Sequence, residues 1–421
     1  MIVTTNLFPG ITLRCCQDSR FKQGCLSFQL IRPMQKEESA KNALIPAVLL
    51  RATRRCPDLR SITQYLDQLY GATISTLVRR VGDYQTTGLY CGFMDDRFAL
   101  EGDKVLEPMA AFLEEILLES PLENGGFLPG LVESEKKNLI ATIESQLNDK
   151  RVYAAGQLLK IMCQGDTFGL PRLGEAEDVA KIDPVDLYSH YRRILQESSI
   201  HIFYVGSGEA DRVENLLMPL LQKLNRKPMV LKPQTGFHPW EGTDAVEEME
   251  VSQGKLCLGF VTPITNRCPE FPAMQVMNTV FGGGMTSKLF MNVREKLSLC
   301  YSVGSGYYGT KGIVTVSAGI DFEKEAQTRT EILHQLEACK SGEISDLELN
   351  AAKEAVMSSL RATHDSPGAI EGYYATAALS GMGMTPAEYM AAVSAVTVAD
   401  VKAAAATLRL HTSYFLKGVR Q

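Results

Sequence analysis

Residues 281–308 read FGGGMTSKLFMNVREKLSLCYSVGSGYY, and the order of elements in this stretch decides the fold. Three consecutive glycines, Gly282, Gly283 and Gly284, suit a sharp bend or a close backbone approach, because none carries a Cβ. Thr286 or Ser287 can cap a helix that follows. Leu289, Phe290, Val293 and Leu297 recur at helical spacing and predict one apolar face. Arg294 falls at the edge of that face. The helix should stop near Ser298, and Cys300-Tyr301-Ser302-Val303 then reads as the start of a strand. Arg294 and Tyr301 therefore flank a helix-to-strand corner and are placed to point into one cleft. An Arg beside an apolar stripe ordinarily snorkels, and a Tyr at a strand start is ordinarily a core residue with a wet hydroxyl. A phosphate loop is excluded, because Gly284 leads into Met285-Thr286-Ser287-Lys288 and not G-K-[ST].

The rest of the chain bounds what this corner can serve. The 421 residues are enough for two or three domains. An apolar share of 45% and a charged share of 22% are those of an ordinary globular protein. A net charge of −6 and the lack of a basic cluster interleaved with aromatics argue against a nucleic-acid partner. The N-terminus lacks a basic start followed by an apolar run, so no signal peptide is expected. No run of about 18 apolar residues predicts a membrane span. The ten cysteines form no C-x-x-C pair, and most lie in apolar segments. Scattered free thiols fit a reducing cytoplasm better than a disulfide framework.

Patterning predicts a hairpin over 11–33 and helices over 40–53, broken or kinked at Pro46, and 58–70. The second of these carries Leu59, Ile62, Leu66 and Leu69 as its stripe. Strands follow at 72–80 and 84–94, a helix at 105–118, and one very long helix or two over 131–163. A helix at 184–195, a strand at 200–205 and a helix at 209–224 close the first half. Residues 226–242 hold Pro228, Pro233 and Pro239 without a clear period and read as a linker. Beyond it come a strand at 255–262, helices at 271–281 and 285–297, and strands at 301–308 and 313–320. Helices over 323–341, 345–364, 370–380, 386–393 and 399–408 and a strand at 413–417 end the chain.

The order recurs. Ile182-Asp183-Pro184-Val185-Asp186-Leu187 leads into a helix and then a strand ending Tyr204-Val205-Gly206. Val396-Thr397-Val398-Ala399-Asp400-Val401 leads into a helix and then a strand ending Leu416-Lys417-Gly418. The two traces lie 214 and 212 residues apart, about half the chain. An internal duplication of an α+β unit is the natural reading. The fold class is α+β, with two tandem homologous units at 1–225 and 243–421. Each is an antiparallel sheet packed with helices.

The glycine turn, the short helix, Val293-Arg294-Glu295-Lys296 and the corner Ser298-Leu299-Cys300-Tyr301 resemble the C-terminal signature of the M16 peptidases. That family includes insulinase, pitrilysin and the mitochondrial processing peptidases, and it is built from such paired units. The resemblance implies that Arg294 and Tyr301 are the catalytic contribution of this chain, reaching a zinc site held by another domain. It implies a substrate-handling role for Gly282, Gly283 and Gly284, although the family's glycine-rich loop is longer.

An active member carries H-x-x-E-H on the first helix of its N-terminal unit, with a further Glu on a later helix. The six histidines here are His190, His201, His238, His334, His364 and His411, so none precedes residue 190. Anchored on Thr53, the motif's place is taken by Ala43-Leu44-Ile45-Pro46-Ala47. Ala43 and Ala47 replace the ligands and Pro46 the base, and Thr142 falls where the last ligand is expected. Glu135 and Glu144 read as solvated charges on a helix face, as does the run Glu247-Glu248-Met249-Glu250. His364-Asp365-Ser366 reads as a helix end before Pro367-Gly368, since adjacent residues do not by themselves make a triad.

No metal site and no cofactor are expected in this chain. It resembles the non-catalytic subunits of two-chain M16 systems, including the bacterial YmfF-like branch. The resemblance implies a cytoplasmic heterodimer with a subunit bearing H-x-x-E-H, acting on an unfolded or short peptide, with neither nucleic acid nor membrane as partner. The alternative is a pseudopeptidase acting as scaffold or regulator, linked by family naming to modification of the translation factor EF-P.

Overall fold

The structure is a computed structural model and describes residues 2–231 and 242–419. Most of the expected linker, residues 232–241, lies outside the described residues. The chain forms two compact units. The first comprises Met1–Glu144, Leu170–Lys232 and His364–Thr376; the second comprises Ser145–Gly169, Pro233–Thr363 and Ala377–Gln421. Each half of the chain thus gives one segment to the unit built mainly by the other half.

The first unit holds strands β1 (Ile2–Phe8), β2 (Ile11–Gln17), β3 (Gln23–Pro33), β4 (Thr73–Val81) and β5 (Tyr84–Met94). A short ribbon, β6 (Leu122–Glu123) and β7 (Gly126–Phe127), and the strand β8 (Ser199–Gly206) complete it. Its main sheet runs β1-β2-β8-β3-β5-β4, antiparallel except that β2 and β8 are parallel. The hairpin expected over 11–33 is therefore not formed, because β8 lies between β2 and β3. The run SIHIFYVG is buried almost throughout, and such a strand satisfies its backbone only with a neighbour on each side. Strands two places apart are about 10 Å apart, which the five residues from Asp18 to Lys22 can span. β1 gave no sequence signal; it pairs with β2 across a turn in which Gly10 takes φ +73°.

The helices Lys36–Leu49, Leu106–Leu118, Pro129–Ser145 and Pro184–Glu197 belong to this unit. Asp183 starts the last of these by accepting from the amides of Val185 and Asp186. Their apolar faces close on Ile11, Leu13, Leu26, Phe28, Leu30, Ile200 and Ile202 in one core. In the helix Leu59–Gln68, Ile62 and Leu66 are buried, but Leu59, expected in the stripe, is exposed. Asp58 precedes it as the cap, so Leu59 occupies the first turn, turned outward.

The second unit holds β9 (Asp244–Met249), β10 (Gly254–Val261), β11 (Cys300–Tyr308), β12 (Ile313–Ile320) and β13 (Arg409–Gly418). Its sheet runs β9-β13-β10-β12-β11, with β9 and β13 parallel and the rest antiparallel. This repeats β2-β8-β3-β5-β4 strand for strand, including the place of the single parallel pair. The two sequence traces of the repeat precede β8 and β13, which occupy the same place in each sheet. β9 was missed because its acidic residues read as solvated. Glu247 instead accepts from the hydroxyls of Tyr153 at 2.8 Å and Tyr414 at 2.5 Å, and Glu248 pairs with Lys417 at 2.8 Å. Charges on an edge strand also discourage further pairing.

The long helix expected over 131–163 is two helices, Pro129–Ser145 and Lys150–Met162. Asp149 caps the second through the amides of Arg151 and Val152. That second helix sits in the second unit, where Ala154 and Leu158 pack with Cys257, Tyr414 and Leu416. Among the described residues, no single helix is long and apolar enough to cross a membrane.

Candidate functional site

The glycine turn ends the helix Phe271–Gly282. A Cβ on Gly282 would lie 2.6 Å from Ser305 Oγ, and one on Gly283 would lie 2.7 Å from the Cα of Thr279. Both glycines are thus required by packing. Gly284 has nothing within 4 Å of the corresponding point. Ser287 then turns the chain, bonding the Gly284 carbonyl at 2.6 Å and accepting from the Phe290 amide at 3.3 Å.

The next segment, Leu289–Lys296, is a π-helix, and the amide of Leu297 bonds the carbonyl of Asn292, five residues back. A wider turn rotates successive side chains off a 3.6-residue stripe. Leu289 and Val293 are accordingly buried, whereas Leu297, expected in the same stripe, is exposed. The Arg294 guanidinium lies over the Phe290 ring, 4.7 Å from its centroid, and its Nε is 3.7 Å from Glu295 Oε1. Ser298, at φ +49°, turns the chain into β11.

Tyr301 sits where the β11–β12 register skips, between the pairs Cys300–Ile320 and Ser302–Gly319. A bulge re-aims the side chain it carries, and Tyr301 is 60% exposed. Its hydroxyl donates to Asp321 Oδ1 at 2.8 Å. Lys324 holds the other Asp321 oxygen at 3.1 Å and bonds the Ser298 carbonyl at 3.1 Å. The bond to Asp321 raises the Tyr301 pKa and lowers that of Asp321, so the phenol stays protonated. Arg294 and Tyr301 thus stand on the two sides of the Ser298 corner, each with its own partner. Asp321 and Lys324 carried no sequence signal, since twenty residues and a whole strand separate Tyr301 from Asp321.

In the first unit, Ala43, Ala47, Thr142 and Glu135 line one cavity of about 310 Å³, together with Asn138 and Arg172. Glu144 is exposed as expected, but Glu135 is not a solvated charge. It is 8% exposed, pairs with Arg51 Nε at 3.1 Å and accepts from Asn138 at 3.1 Å. Burial demands a counter-charge, and Arg51 supplies it. The Thr142 hydroxyl donates to the Asn138 carbonyl at 2.8 Å. Two alanine methyls and one engaged hydroxyl do not make a zinc site. Among the described residues, no three His, Cys, Asp or Glu side chains gather as a ligand set.

Pro46 lies inside the helix Lys36–Leu49 and offers no N–H to the Asn42 carbonyl. The Thr87 hydroxyl takes that donor's place at 2.6 Å. The Asn42 side chain bonds Gln85 at 2.9 Å and His190 Nε2 at 2.7 Å. Arg193, which only donates, meets His190 Nδ1 at 2.9 Å, so the ring carries its proton on Nε2. Burial pushes His190 down to about 4. Pro46 thus lies beside a buried polar network that holds the helix in place.

The structure therefore has two α+β units of one strand order, with a cavity lined by Ala43 and Ala47 in the first and an Arg/Tyr corner in the second. The family described as the Peptidase M16 inactive domain matches residues 181–356. The chain is 29% identical to the probable inactive metalloprotease YmfF of Bacillus subtilis, over 97% of this chain and 96% of that protein. A conserved protein from Enterococcus faecalis superposes with a TM-score of 0.89 at 26% identity, covering 100% of this chain and 99% of that one. The peptidase M16 inactive domain from Pseudomonas fluorescens shares the fold, with a TM-score of 0.80 at 18% identity over 100% and 98% of the two chains. The chain is thus similar over nearly its whole length to M16-like proteins, one of them named a probable inactive metalloprotease.

Proposed function

We propose that this protein is the zinc-free half of a two-chain M16 peptidase, supplying Arg294 and Tyr301 to a subunit that carries H-x-x-E-H. The observation that carries this reading is the exposure of Tyr301 at a bulge in an edge strand. An aromatic ring in that position adds little to the core, so packing does not account for it. An unfolded or short peptide is the substrate, adding to the free side of β11 by main-chain bonds. As charge builds on the scissile carbonyl oxygen, the Tyr301 hydroxyl donates to it, and preorganised donors act most where charge develops. Arg294, restrained by Phe290, holds a neighbouring backbone carbonyl. Of the three glycines, Gly284 has the room to face substrate, while Gly282 and Gly283 shape the turn beneath it. A cytoplasmic location fits ten cysteines that are all unpaired.

Tyr301→Phe, assayed with the zinc-bearing partner, should lower kcat by about 10²–10³ with assembly intact. Arg294→Ala should raise KM as well, because it acts on bound substrate. Normal turnover by the Tyr301→Phe complex would remove the reading. A second reading, a scaffold or regulator without proteolysis, is favoured by a specific observation: the Tyr301 hydroxyl is already engaged by Asp321 and Arg294 already lies on Phe290. Under it, Tyr301→Phe leaves both partner binding and the partner's rate unchanged.

A further inference from the structure

The main sheet of the first unit has an apolar face and a polar one. Strand alternation sends Ile11, Leu13 and Cys15 of β2, and Ile200, Ile202 and Tyr204 of β8, into the main core. Thr12, Arg14, His201 and Phe203 therefore share the opposite face, with Thr12 beside His201 and Arg14 beside Phe203. Ser27 and Gln29 of β3 continue that face, lying opposite Phe203 and His201. Glu371, from the segment 364–376, bonds Ser27 at 3.0 Å and Gln29 at 2.5 Å. It also takes a two-pronged contact from Arg79 of β4, at 3.1 and 2.9 Å.

That arrangement leaves one positive charge over. Glu371 is spent on Arg79, and Arg14 has no acid partner among the described residues. The Arg14 guanidinium lies over Phe203, 5.4 Å from the ring centroid, and its Nη1 is buried without a hydrogen bond. His201, 8% exposed, stands edge-on to the same ring with centroids 6.3 Å apart. Its Nδ1 is also buried without a partner. Burial, and then the charge of Arg14, push His201 down to about 3, so the imidazole is neutral and has one N–H to give. A half-buried charge without a counter-ion is costly, and an unbonded polar atom beside it adds to the cost. A planar guanidinium with a neighbouring N–H donor is the set that receives a carboxylate or a phosphate.

We propose that Arg14 and His201 form a binding site for an oxyanion on the polar face of the first unit's sheet, taking either the terminal carboxylate of a peptide or a phosphate group. The site lies in the other unit from Arg294 and Tyr301 and needs neither zinc nor a partner chain, so it stands or falls separately from the proposed function.

The test uses the chain alone with labelled histidine, the His201 signal being assigned by its loss in His201→Gln. Inorganic phosphate, a short peptide with a free C-terminus and the same peptide amidated are titrated at constant ionic strength. A saturable movement of the His201 signal is expected with phosphate or the free peptide. It should weaken about tenfold or more in Arg14→Leu. That variant should melt at the same temperature or higher, since it removes an unpaired, half-buried charge. Arg14→Gln, which keeps a polar end, gives the same answer should the leucine variant fail to fold. Response to the free peptide but not to its amide assigns the site to a peptide terminus, and response to phosphate alone assigns it to a phosphate group. A signal that no probe moves, or that moves equally in both Arg14 variants, overturns the proposal.

Discussion

In the first unit the segment taken from the other half of the chain is held by Glu371, a carboxylate with no exposed surface and bonds to Ser27, Gln29 and Arg79. In the second, the corresponding segment carries Asp166, which is 16% exposed and pairs with the buried Lys311 at 2.9 Å. The strand orders around these two pairs are the same. The same contrast separates the two candidate sites. In the first unit a charged residue is drawn inward, with Glu135 paired to Arg51 behind two alanines. In the second, Tyr301 is left outward at a bulge and Arg294 stands half-exposed on the π-helix. Duplication has kept what the backbone and the apolar faces require. It has let each unit solve its charges separately, because a salt bridge depends on a few atoms and a sheet on a whole register.

The largest effect should come from the fully buried carboxylate. Glu371→Ala leaves Arg79 and Gln29 without their acceptor and should cost about 3–5 kcal/mol by chemical denaturation. Asp166→Ala removes a carboxylate that is 16% exposed and should cost less, about 1–3 kcal/mol. Equal losses would show that the two pairs do the same work and would end the distinction.

Acid should separate the units next. Burial lowers His190 to about 4 and His201 to about 3, while the described histidines of the second unit, His334 and His411, are not buried. The unfolded chain takes up these protons near pH 6.5 and the folded chain only well below. The stabilisation is therefore complete above pH 6.5 and shrinks as pH falls from there toward 4, by about 1.4 kcal/mol per pH unit for each histidine. Glu38 works in the same direction at lower pH. Burial pushes it up, the Arg32 hydrogen bonds and charge push it further down, and its contribution is lost as it protonates. Hydrogen exchange over this range should show first-unit amides losing protection before second-unit amides, and His201→Gln should flatten the slope. Parallel loss in both units would contradict this account.

The smallest effect probes the π-helix. Leu297→Ala should change stability by less than about 0.5 kcal/mol, as an exposed substitution does. Leu289→Ala, on the buried face of the same segment, should cost about 2–5 kcal/mol. A large loss at Leu297 would mean that the segment turns as an ordinary α-helix after all.

The corner that carries the family resemblance was legible because everything it needs is local: glycines, a cap, an apolar stripe, a charged run and a strand. Its turn was not. Whether Leu289–Lys296 bonds four or five residues back depends on how Val293 and Leu289 must meet the helices around them, not on their spacing alone. Asp149 could be seen to cap a helix once the break before it was known, but the break falls in a run whose apolar pattern continues on both sides. β9 escaped because Glu247 and Glu248 look solvated until Tyr153, Tyr414 and Lys417 are brought to them.

The sequence by itself determined the alternation of strands, the repeat about half a chain long, and the lack of any histidine before His190 where a zinc helix would need two. These follow from side-chain chemistry and from periods that any short window displays. Only the tertiary structure decided that β8 lies between β2 and β3, that the segments 145–169 and 364–376 change units, and that Arg51 neutralises Glu135. It alone decided that Asp321 receives the Tyr301 hydroxyl and that Arg14 is left without an acid among the described residues. The reason is common to all five. A backbone edge or a buried charge must find its partner in space, and that partner can lie anywhere along the chain.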